Sequence, residues 1–493
     1  DSLPARQSFM YIFLILVMSF EAFSHIREMG KHKILYSFLG AVVFLLFCEK
    51  FAEDKDITLG LEALSMAFLA VYGMLLYYYH HHREHEWQKV LCLTGFILVA
   101  VEVGINTYNT SIGTVSRSDY LAPIKDYENL YEYAQENSEG FWRMEKFERR
   151  TKNDAILAGY PSASLFSSTM NSSVANFYEQ LGMRHSKVYY AFDGATALTS
   201  AMLNVEYMYG ETEKAMQNEA SENSDKLYTA VAESGDITLY HCNYTLPFGY
   251  VVPLNFQISD SEGQDPLKIQ NTMVKELGVK GNLFTRANTI RDNEDLVLVA
   301  DKDAYYYVVN GRGNTKLDFE GDFGTKSFKD LKYNNVMYVG YLEQGTRIHM
   351  KNGEEEDDTP SLKVTAYRMD LDVLKEALDK LSKQHMQEVK YDSNHISGYI
   401  NMEEAGKVFL SVPYEEGWTI TVDGKEVEPE LCGGCFMTIP LEPGEYEIAL
   451  EYDPKGRKEG IIISLCALLM FTTLLILSKR KSNSDTVEES PKE

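Results

Sequence analysis

Hydroxyl and amide side chains crowd into one short stretch of this chain, residues 159–182, which reads GYPSASLFSSTMNSSVANFYEQLG. Apolar residues are interleaved with them, which argues against a flexible linker. We expect Phe141, Phe166 and Phe177 to act as buried anchors between which the polar side chains line a cleft. Hydroxyls and amides hydrogen-bond the OH groups of sugars, and a guanidinium binds phosphate. The predicted sugar or phosphate site consists of Arg143, Asn153, Asp154, Ser167, Ser168, Thr169 and Asn171.

A second interpretation of the same stretch is structural. Ser, Thr and Asn side chains also satisfy the unpaired backbone groups at helix ends and in turns. The residue types alone leave ligand binding and helix capping both open.

Apolar runs near both ends of the chain predict membrane-spanning helices. The runs cover residues 9–23, 34–47, 57–79, 90–105 and 460–477. Lys and Arg side chains are enriched in cytoplasmic loops. Their positions favour a cytoplasmic location for loops 27–33 and 80–89 and for the tail after residue 478. This topology places residues 106–459 outside the cytoplasm.

Two carboxylates, Glu62 and Glu102, fall inside the apolar runs, near the outer ends of their predicted helices. Ionisable groups inside membrane spans are costly and often serve a site. Snorkelling toward the headgroups is one explanation. A polar groove that faces the outside domain is the other.

These patterns predict a multi-domain α+β membrane protein. We expect four transmembrane helices in residues 1–105, a mixed α/β domain in 106–235 and a strand-rich domain in 236–395. These domains are followed by the end of a β-sandwich in 396–459, a transmembrane helix in 460–478 and a cytoplasmic tail in 479–493. Asp423-Gly424 is a strong hairpin signal. Since the chain starts without an initiator Met or signal peptide, we expect it to be the C-terminal part of a longer polytopic protein.

Charge and cysteine content exclude several classes of protein. The formal net charge of −26 argues against a nucleic-acid binder. Cys92 and Cys466 lie in the apolar runs and Cys48 directly follows one of them, which leaves Cys242, Cys432 and Cys435 outside the membrane. The Cys432/Cys435 pair therefore predicts a local disulfide or two free thiols rather than a zinc site. The run His80–His82 with His85 predicts a titratable helix end rather than a metal site, and the sequence leaves any cofactor unknown.

Several motifs, in order, resemble the bacterial YfhO family of membrane proteins. They are FWRMEKFERRTKNDAILAGYPSASLFSSTMN, DGATALTSAMLNVEYMYG and VPYEEGWTITVDGKEV, followed by one apolar helix and a basic tail. The resemblance implies a GT-C type glycosyltransferase of the bacterial cytoplasmic membrane. Such an enzyme transfers sugar from a polyprenyl-phosphate donor to an envelope polymer such as lipoteichoic acid. It also implies that the catalytic carboxylate lies in an earlier outward loop, so the catalytic residue is unknown here.

A second function class fits the same pattern. A membrane-anchored module that binds envelope glycans without catalysis would also combine β-sandwich strands with a terminal helix. A transporter has less support, because the spans carry no series of interior charges.

Overall fold

The computed structural model describes residues 8–51, 59–82, 84–111, 116–211, 226–258, 263–292, 295–322, 324–353 and 362–488. The chain forms two compact units, residues 1–120 and residues 121–493.

The helices of the described residues fall in both units. They are α1 (Ser8–Ser24), α2 (Lys31–Phe51), α3 (Leu59–His81), α4 (His85–Ser111), α5 (Arg117–Leu121), α6 (Ile124–Asn137), α7 (Asp154–Ala158), α8 (Ser172–Gln180), α9 (Ala197–Met202), α10 (Pro266–Glu276), α11 (Leu371–Ser382) and α12 (Arg457–Glu488).

The strands of the described residues all belong to the second unit. They are β1 (Arg143–Lys146), β2 (Leu165–Phe166), β3 (Arg184–His185), β4 (Tyr189–Ala191), β5 (Val205–Glu211), β6 (Tyr228–Ser234), β7 (Ile237–Cys242), β8 (Tyr250–Val252), β9 (Phe284–Arg286), β10 (Asn288–Asp292), β11 (Asp295–Val299), β12 (Ala304–Asn310), β13 (Leu317–Gly321), β14 (Gly324–Phe328), β15 (Val336–Leu342), β16 (Arg347–Asn352), β17 (Val364–Met369), β18 (Gln387–Tyr391), β19 (His395–Met402), β20 (Gly406–Pro413), β21 (Trp418–Val422), β22 (Lys425–Val427), β23 (Glu430–Cys432), β24 (Phe436–Leu441) and β25 (Gly444–Tyr452).

Three helices are long and apolar enough to cross a membrane. Their spans are Gly60–His81, His85–Tyr108 and Arg457–Lys479, within α3, α4 and α12. Two further apolar helices, Ser8–Ser24 and His32–Cys48, are shorter. The described residues of all five predicted apolar runs are therefore helical. The number of membrane crossings and their orientation stay predictions.

One sheet and one helix position the hydroxyl-rich stretch. Strand β1 pairs in parallel with β5 in the four-stranded order β1-β5-β7-β6. Helix α6 buries Leu130 and Ala134 in a core with Trp142, Met144 and Leu239. The apolar residues of α6 recur every three to four positions, which gives the helix one face to bury.

The remaining large sheets fall into two pairs. The sheets β10-β11-β16-β13-β14 and β15-β12-β17-β9 contribute Leu298, Phe319 and Val339 to one core. The sheets β18-β19-β25-β21-β22 and β23-β24-β20-β8 contribute Ile400, Leu410 and others to another.

Two pairings cross the predicted domain limits inside residues 106–459. The β6–β7 hairpin spans the limit at 235/236, and β8 pairs with β20 across the limit at 395/396. The local periodicity of a sequence does not show which distant segments will pair as neighbouring strands. The predicted subdivision of this unit stays a prediction.

Both Gly-containing motifs of the last sheets are turns. Asp423 and Gly424 have φ values of 49° and 74° and join β21 to β22 as the sequence predicts, in the left-handed conformation of a tight hairpin. Cys432 and Cys435 flank the turn between β23 and β24 as free, buried thiols. Burial raises the pKa of Cys432 to about 11 and that of Cys435 to about 12, so both are poor nucleophiles at neutral pH.

Candidate functional site

A buried carboxylate holds the first half of the hydroxyl-rich stretch. Glu145 on β1 is fully buried. Its Oε1 accepts hydrogen bonds from Ser162 Oγ at 2.6 Å, the Ala163 amide at 2.8 Å and Ser164 Oγ at 3.0 Å. Ser164 Oγ also accepts from the Phe192 amide at 2.9 Å. These hydroxyls therefore satisfy a buried charge and tie the stretch to β1 and β4.

The other oxygen of Glu145 continues the network toward the surface. Arg149 Nη1 donates to Glu145 Oε2 at 2.6 Å, and Arg149 Nη2 donates to Asp193 Oδ2. The Arg149 side chain is 7% exposed, whereas that of Asp193 is 45% exposed. Burial lowers the pKa of Arg149, but the carboxylates of Asp193 and Glu145 outweigh burial and raise it. Burial likewise raises the pKa of Asp193, and Arg149 overrides it, so that pKa lies below its usual value.

Asp154 and Asn153 have structural contacts at the start of α7. Asp154 is buried, pairs with Lys146 Nζ at 3.0 Å, and accepts hydrogen bonds from the Thr151 amide and hydroxyl at 2.9 and 2.8 Å. Burial pushes the pKa of Asp154 upward, but Thr151 and Lys146 hold it below its usual value. The Asn153 side chain accepts from the Phe166 amide at 2.8 Å and donates to the Phe166 carbonyl at 3.0 Å.

Low pH is expected to lower the stability of this region against unfolding. Because the pKa values of Asp154 and Asp193 are lower in the folded state, both add stability above the unfolded pKa of about 3.9, and that stability is lost as pH falls through the folded values. We expect the urea concentration at the unfolding midpoint to decrease as the pH is lowered from about 5 to about 2. The midpoint is read from Trp142 fluorescence in a Trp87→Phe, Trp418→Phe background. Asp154→Asn should flatten this decline. The exposed control Asp379→Asn should reproduce the wild-type slope, and an equal slope in Asp154→Asn would contradict the role given to the carboxylate.

Asn171 is both a helix cap and a long-range contact. Its Oδ1 accepts hydrogen bonds from the Ser173 amide at 3.0 Å and Ser173 Oγ at 2.7 Å, which caps α8. Its Nδ2 donates to the Tyr414 carbonyl at 2.9 Å. The capping interpretation is thus confirmed for this residue.

Arg143 lies between β1 and the distant strand β20. Its guanidinium donates to the Leu203 carbonyl at 2.7 Å, Ser411 Oγ at 3.1 Å and the Ser411 carbonyl at 2.9 Å. It also lies 4.7 Å from the centre of the Phe141 ring. Burial lowers its pKa. The predicted phosphate contact of Arg143 stays a prediction, and the contacts described are internal ones.

One face of the small sheet β2-β4-β3 is exposed and aromatic. Phe166 and Tyr189 are cross-strand partners, and Arg184 pairs with Ala191 two residues further along β4, so these side chains share a face. The expected burial of Phe166 is wrong, because its side chain is 46% exposed, while Phe177 is buried as expected. We call Phe166 and Tyr189, with the cations that flank them, the Phe166–Tyr189 face.

Cations border the Phe166–Tyr189 face. Lys152 Nζ lies 4.2 Å above the centre of the Tyr189 ring. Arg184 donates to the carbonyl groups of Asp330 and, at 2.6 Å, Lys329, and Lys187 lies in the β3–β4 turn. Residues 143–190 carry seven Lys and Arg against four Asp and Glu, in a chain with 47 and 73 in total. This region is therefore locally basic within an acidic protein.

The predicted hydroxyl ligands lie next to this face. Ser167 Oγ and Thr169 Oγ1 are 3.1 Å apart, and the Thr169 amide donates to Ser167 Oγ at 3.2 Å. Ser168 and Thr169 are exposed. The structure thus brings Asn153, Ser167, Ser168 and Thr169 to the Phe166–Tyr189 face, while Arg143 is bonded to β20.

The two carboxylates of the first unit have different surroundings. Glu102 on α4 accepts a hydrogen bond from Tyr72 OH on α3 at 2.5 Å. Glu62 is 7% exposed. Snorkelling alone does not describe Glu102, because a neighbouring helix supplies its partner. A role for either residue in a groove stays a prediction.

Sequence reasoning missed the residues that organise the site. Glu145, Arg149 and Asp193 form a network that runs from the buried strand β1 to the surface, and the partly buried Lys152, Arg184 and Tyr189 lie around the exposed Phe166. The signal available was the local excess of Lys and Arg in residues 143–190. In the described residues no group of three or more His, Cys, Asp or Glu side chains could hold a metal ion.

Comparison with known proteins gives similarity at the level of family. The relative "Uncharacterized protein YfhO" of Bacillus subtilis (strain 168) is 23% identical over 530 aligned positions, which cover 94% of this chain and 59% of that protein. This chain thus spans less than two thirds of that relative's length.

Similarity to solved structures is weak. The mycobacterial arabinofuranosyltransferase AftD (mutant R1389S) matches with a TM-score of 0.22 and 9% identity, over 70% of this chain and 40% of that one. A GH2 beta-galacturonidase from Eisenbergiella tayi matches with a TM-score of 0.12 and 8% identity, over 46% and 35%. Scores this low carry no argument about fold or function.

The family comparison covers nearly the whole chain. The model of the family described as "Bacterial membrane protein YfhO" matches residues 2–303 and 298–464. The match spans helices α1 to α4, the Glu145 network and the Phe166–Tyr189 face together, and it ends within α12. The chain belongs to the YfhO family of bacterial membrane proteins.

Proposed function

We propose that this chain is the C-terminal part of a multi-pass membrane glycosyltransferase, and that its second unit binds the sugar-accepting envelope polymer outside the cytoplasm. The observation that carries the proposal is the Phe166–Tyr189 face. An exposed ring offers a flat apolar surface on which a sugar ring can stack, and adjacent hydroxyls and amides can pair with sugar OH groups. Ser167, Ser168 and Thr169 supply hydroxyls beside Phe166.

The flanking cations favour an anionic polymer. Lys152 and Arg184 border the aromatic pair, and the surrounding segment has an excess of Lys and Arg. In a chain of net charge −26, most of the surface repels a polyanion, so a local basic region selects where it binds. A lipoteichoic-acid-like polymer, with phosphate groups between its polyol units, has this chemistry.

The proposed reaction is glycosyl transfer from a polyprenyl-phosphate sugar. A general base takes the proton of an acceptor hydroxyl, its oxygen bonds to the anomeric carbon, and the bond from that carbon to the phosphate oxygen breaks, which releases polyprenyl phosphate. Glu145 is not placed for this step, because it is fully buried and its two oxygens already accept four hydrogen bonds inside the fold. We place the base in the part of the longer protein that precedes this chain.

A second candidate is a membrane-anchored module that binds envelope glycan without catalysis. The same face favours it, because stacking and ion pairing need no general base. A transfer assay on the upstream-extended protein, with radiolabelled polyprenyl-phosphate sugar, separates the two candidates. Transfer to a teichoic-acid-like acceptor supports the enzyme, and polymer binding without transfer across a panel of sugars supports the module.

Phe166→Ala is expected to weaken polymer binding about tenfold, since one aromatic contact contributes about 1–1.5 kcal/mol. Binding of poly(glycerol phosphate) to the full chain in nanodiscs, measured by calorimetry, checks this. Lys152→Gln should weaken binding and reduce its dependence on salt. The matched control is Tyr399→Ala, which removes a ring of similar exposure, 52%, on β19 and should bind as wild type. Equal affinities for Phe166→Ala and Tyr399→Ala would overturn the proposal.

A further inference from the structure

We infer that helix α7 inserts its Ile156 and Leu157 side chains into the surface of the bilayer on the side where α12 begins. This is a second, shallow membrane contact, separate from the candidate spans. We call these two side chains the Ile156–Leu157 ridge. The inference concerns a contact with phospholipid, and it does not depend on which sugar or polymer the protein binds.

The two faces of α7 are reversed relative to an ordinary surface helix. Ala155 and Ala158 are buried, whereas Ile156 is 68% exposed and Leu157 is 40% exposed. A surface helix normally turns its large aliphatic side chains toward the core, because they remove the most apolar area from water. A helix that buries its alanines and exposes its isoleucine and leucine presents an apolar surface to a partner outside the fold.

Contacts on the opposite side of α7 fix the ridge in this position. Asp154 in the first turn is buried and pairs with Lys146 Nζ at 3.0 Å. Gly159 ends the helix with φ of 75°, and its amide donates to the Ala155 carbonyl at 2.8 Å. Both ends of α7 are therefore tied to the fold, so the exposure of the ridge is not the result of fraying.

The ridge belongs to a larger apolar surface. Among the described residues of the second unit that lie outside α12, Ile156 is the most exposed large hydrophobic residue. Phe166, which is 46% exposed, adjoins α7, because the Asn153 side chain accepts from the Phe166 amide at 2.8 Å and donates to the Phe166 carbonyl at 3.0 Å. Exposed apolar side chains gathered in one place indicate an interaction surface.

The chemistry of the ridge favours lipid as its partner. Isoleucine and leucine have neither a flat ring for a sugar nor a hydrogen-bonding group, and both transfer favourably into hydrocarbon. Arg150 and Lys152 precede α7 by four and two residues, and Arg150 is exposed. Apolar side chains next to Lys and Arg suit a bilayer surface, since the apolar groups enter the acyl region and the cations stay beside the lipid phosphates.

Contacts of the neighbouring strands attach the ridge to the start of α12. Leu165 on β2 pairs with Tyr190 on β4. Burial raises the pKa of Tyr190, and the Glu415 carboxylate acts in the same direction, so Glu415 lies close to β4. Tyr452 OH donates to Glu415 Oε2 at 2.8 Å, and the candidate span Arg457–Lys479 begins five residues after Tyr452. The strands beside the ridge are therefore connected to the segment that enters the bilayer.

Nitroxide accessibility tests the contact directly. The full chain, with Cys48→Ala, Cys92→Ala and Cys466→Ala to remove the thiols that are not buried, carries a nitroxide at Ile156→Cys in nanodiscs of phosphatidylcholine and phosphatidylglycerol. Oxygen concentrates in hydrocarbon and a neutral nickel chelate stays in water, so the ratio of the two collision rates reports depth. We expect the label to lie about 5–10 Å into the boundary between headgroups and acyl chains. The matched control is Ile290→Cys on β10, 53% exposed, whose label should collide mainly with the nickel chelate.

Two outcomes of this experiment would overturn the inference. A collision rate with the nickel chelate equal to that of the Ile290 label would show that the ridge lies in water. Low collision rates with both reagents would show that protein covers the ridge, whether a second copy, another part of the longer protein or a partner.

A neighbouring variant separates apolar insertion from attraction by charge. With the label at Leu157→Cys, we expect hydrocarbon exposure in phosphatidylcholine alone and a deeper position when phosphatidylglycerol is added, because apolar area and cations both contribute. Ile156→Asn should move this label toward water in both compositions, whereas Leu254→Asn, at a residue 47% exposed, should leave its depth unchanged. A depth that ignores Ile156→Asn, or hydrocarbon exposure that requires phosphatidylglycerol, would contradict insertion of the ridge.

Discussion

Glu145→Ala is expected to lower the free energy of unfolding of the second unit by about 3–5 kcal/mol, because it breaks a buried ion pair on one side only. The Arg149 guanidinium, 7% exposed, would keep a single carboxylate partner in Asp193. Ser162 and Ser164 hydroxyls and the Ala163 amide would lose their acceptor. A buried donor left without a partner costs about 1–3 kcal/mol, and the predicted total loss includes this cost.

Urea unfolding of the full chain in detergent, read from Trp142 in a Trp87→Phe, Trp418→Phe background, measures this loss. Trp142 is buried in the same core as Met144 on β1, so its fluorescence reports on the affected region. Glu145→Gln keeps the shape and one acceptor oxygen and should lose less. The exposed Glu136→Ala on α6 should change stability by no more than about 0.5 kcal/mol. A loss below about 1 kcal/mol for Glu145→Ala would show that water replaces the network.

Gly182→Ala is expected to cost about 2–4 kcal/mol, because strain and overpacking add. Gly182 has φ of +79°, and a Cβ there would lie 2.4 Å from Val336 Cγ2 and 2.9 Å from both the Asn334 carbonyl oxygen and Pro266 Cγ. The Asn334 oxygen is backbone and cannot rotate away. The Gly182 carbonyl also accepts the Val336 amide at 2.8 Å, so a shift would break that hydrogen bond.

Gly159 at the other end of the stretch provides the matched control. It has φ of +75° with nothing within 4 Å of a Cβ, so Gly159→Ala should show only the left-handed strain of about 1–2 kcal/mol. The difference between the two variants in the same unfolding assay isolates the steric part. Equal losses would mean that β15 moves to accept the methyl group.

Local patterns predicted local structure in this protein. Asp423-Gly424 predicted the β21–β22 turn, because a turn signal depends only on neighbouring residues. The capping role of Asn171 was open in the sequence for the same reason, since its partner Ser173 is two residues away.

Contacts between distant segments were not predictable. Nothing near Arg143 in the sequence signals Ser411, and nothing near Phe166 signals that its strand faces outward opposite Tyr189. In the sequence, Glu145 cannot be distinguished from an exposed carboxylate on a strand, because only the fold brings Ser162 and Arg149 beside it. The hydroxyl and amide content of residues 159–182 pointed to the region, and only the fold divided its polar groups into an internal network and an exposed face.

The contacts of Arg143 and Asn171 impose an order on biosynthesis. Their partners, Ser411 and Tyr414, lie 268 and 243 residues later in the chain. At about 5–20 residues per second, the ribosome makes these partners roughly 12–50 s after the segment that needs them. During that interval the hydroxyl-rich stretch has emerged without its final supports. These two contacts can therefore form only shortly before α12 is synthesised.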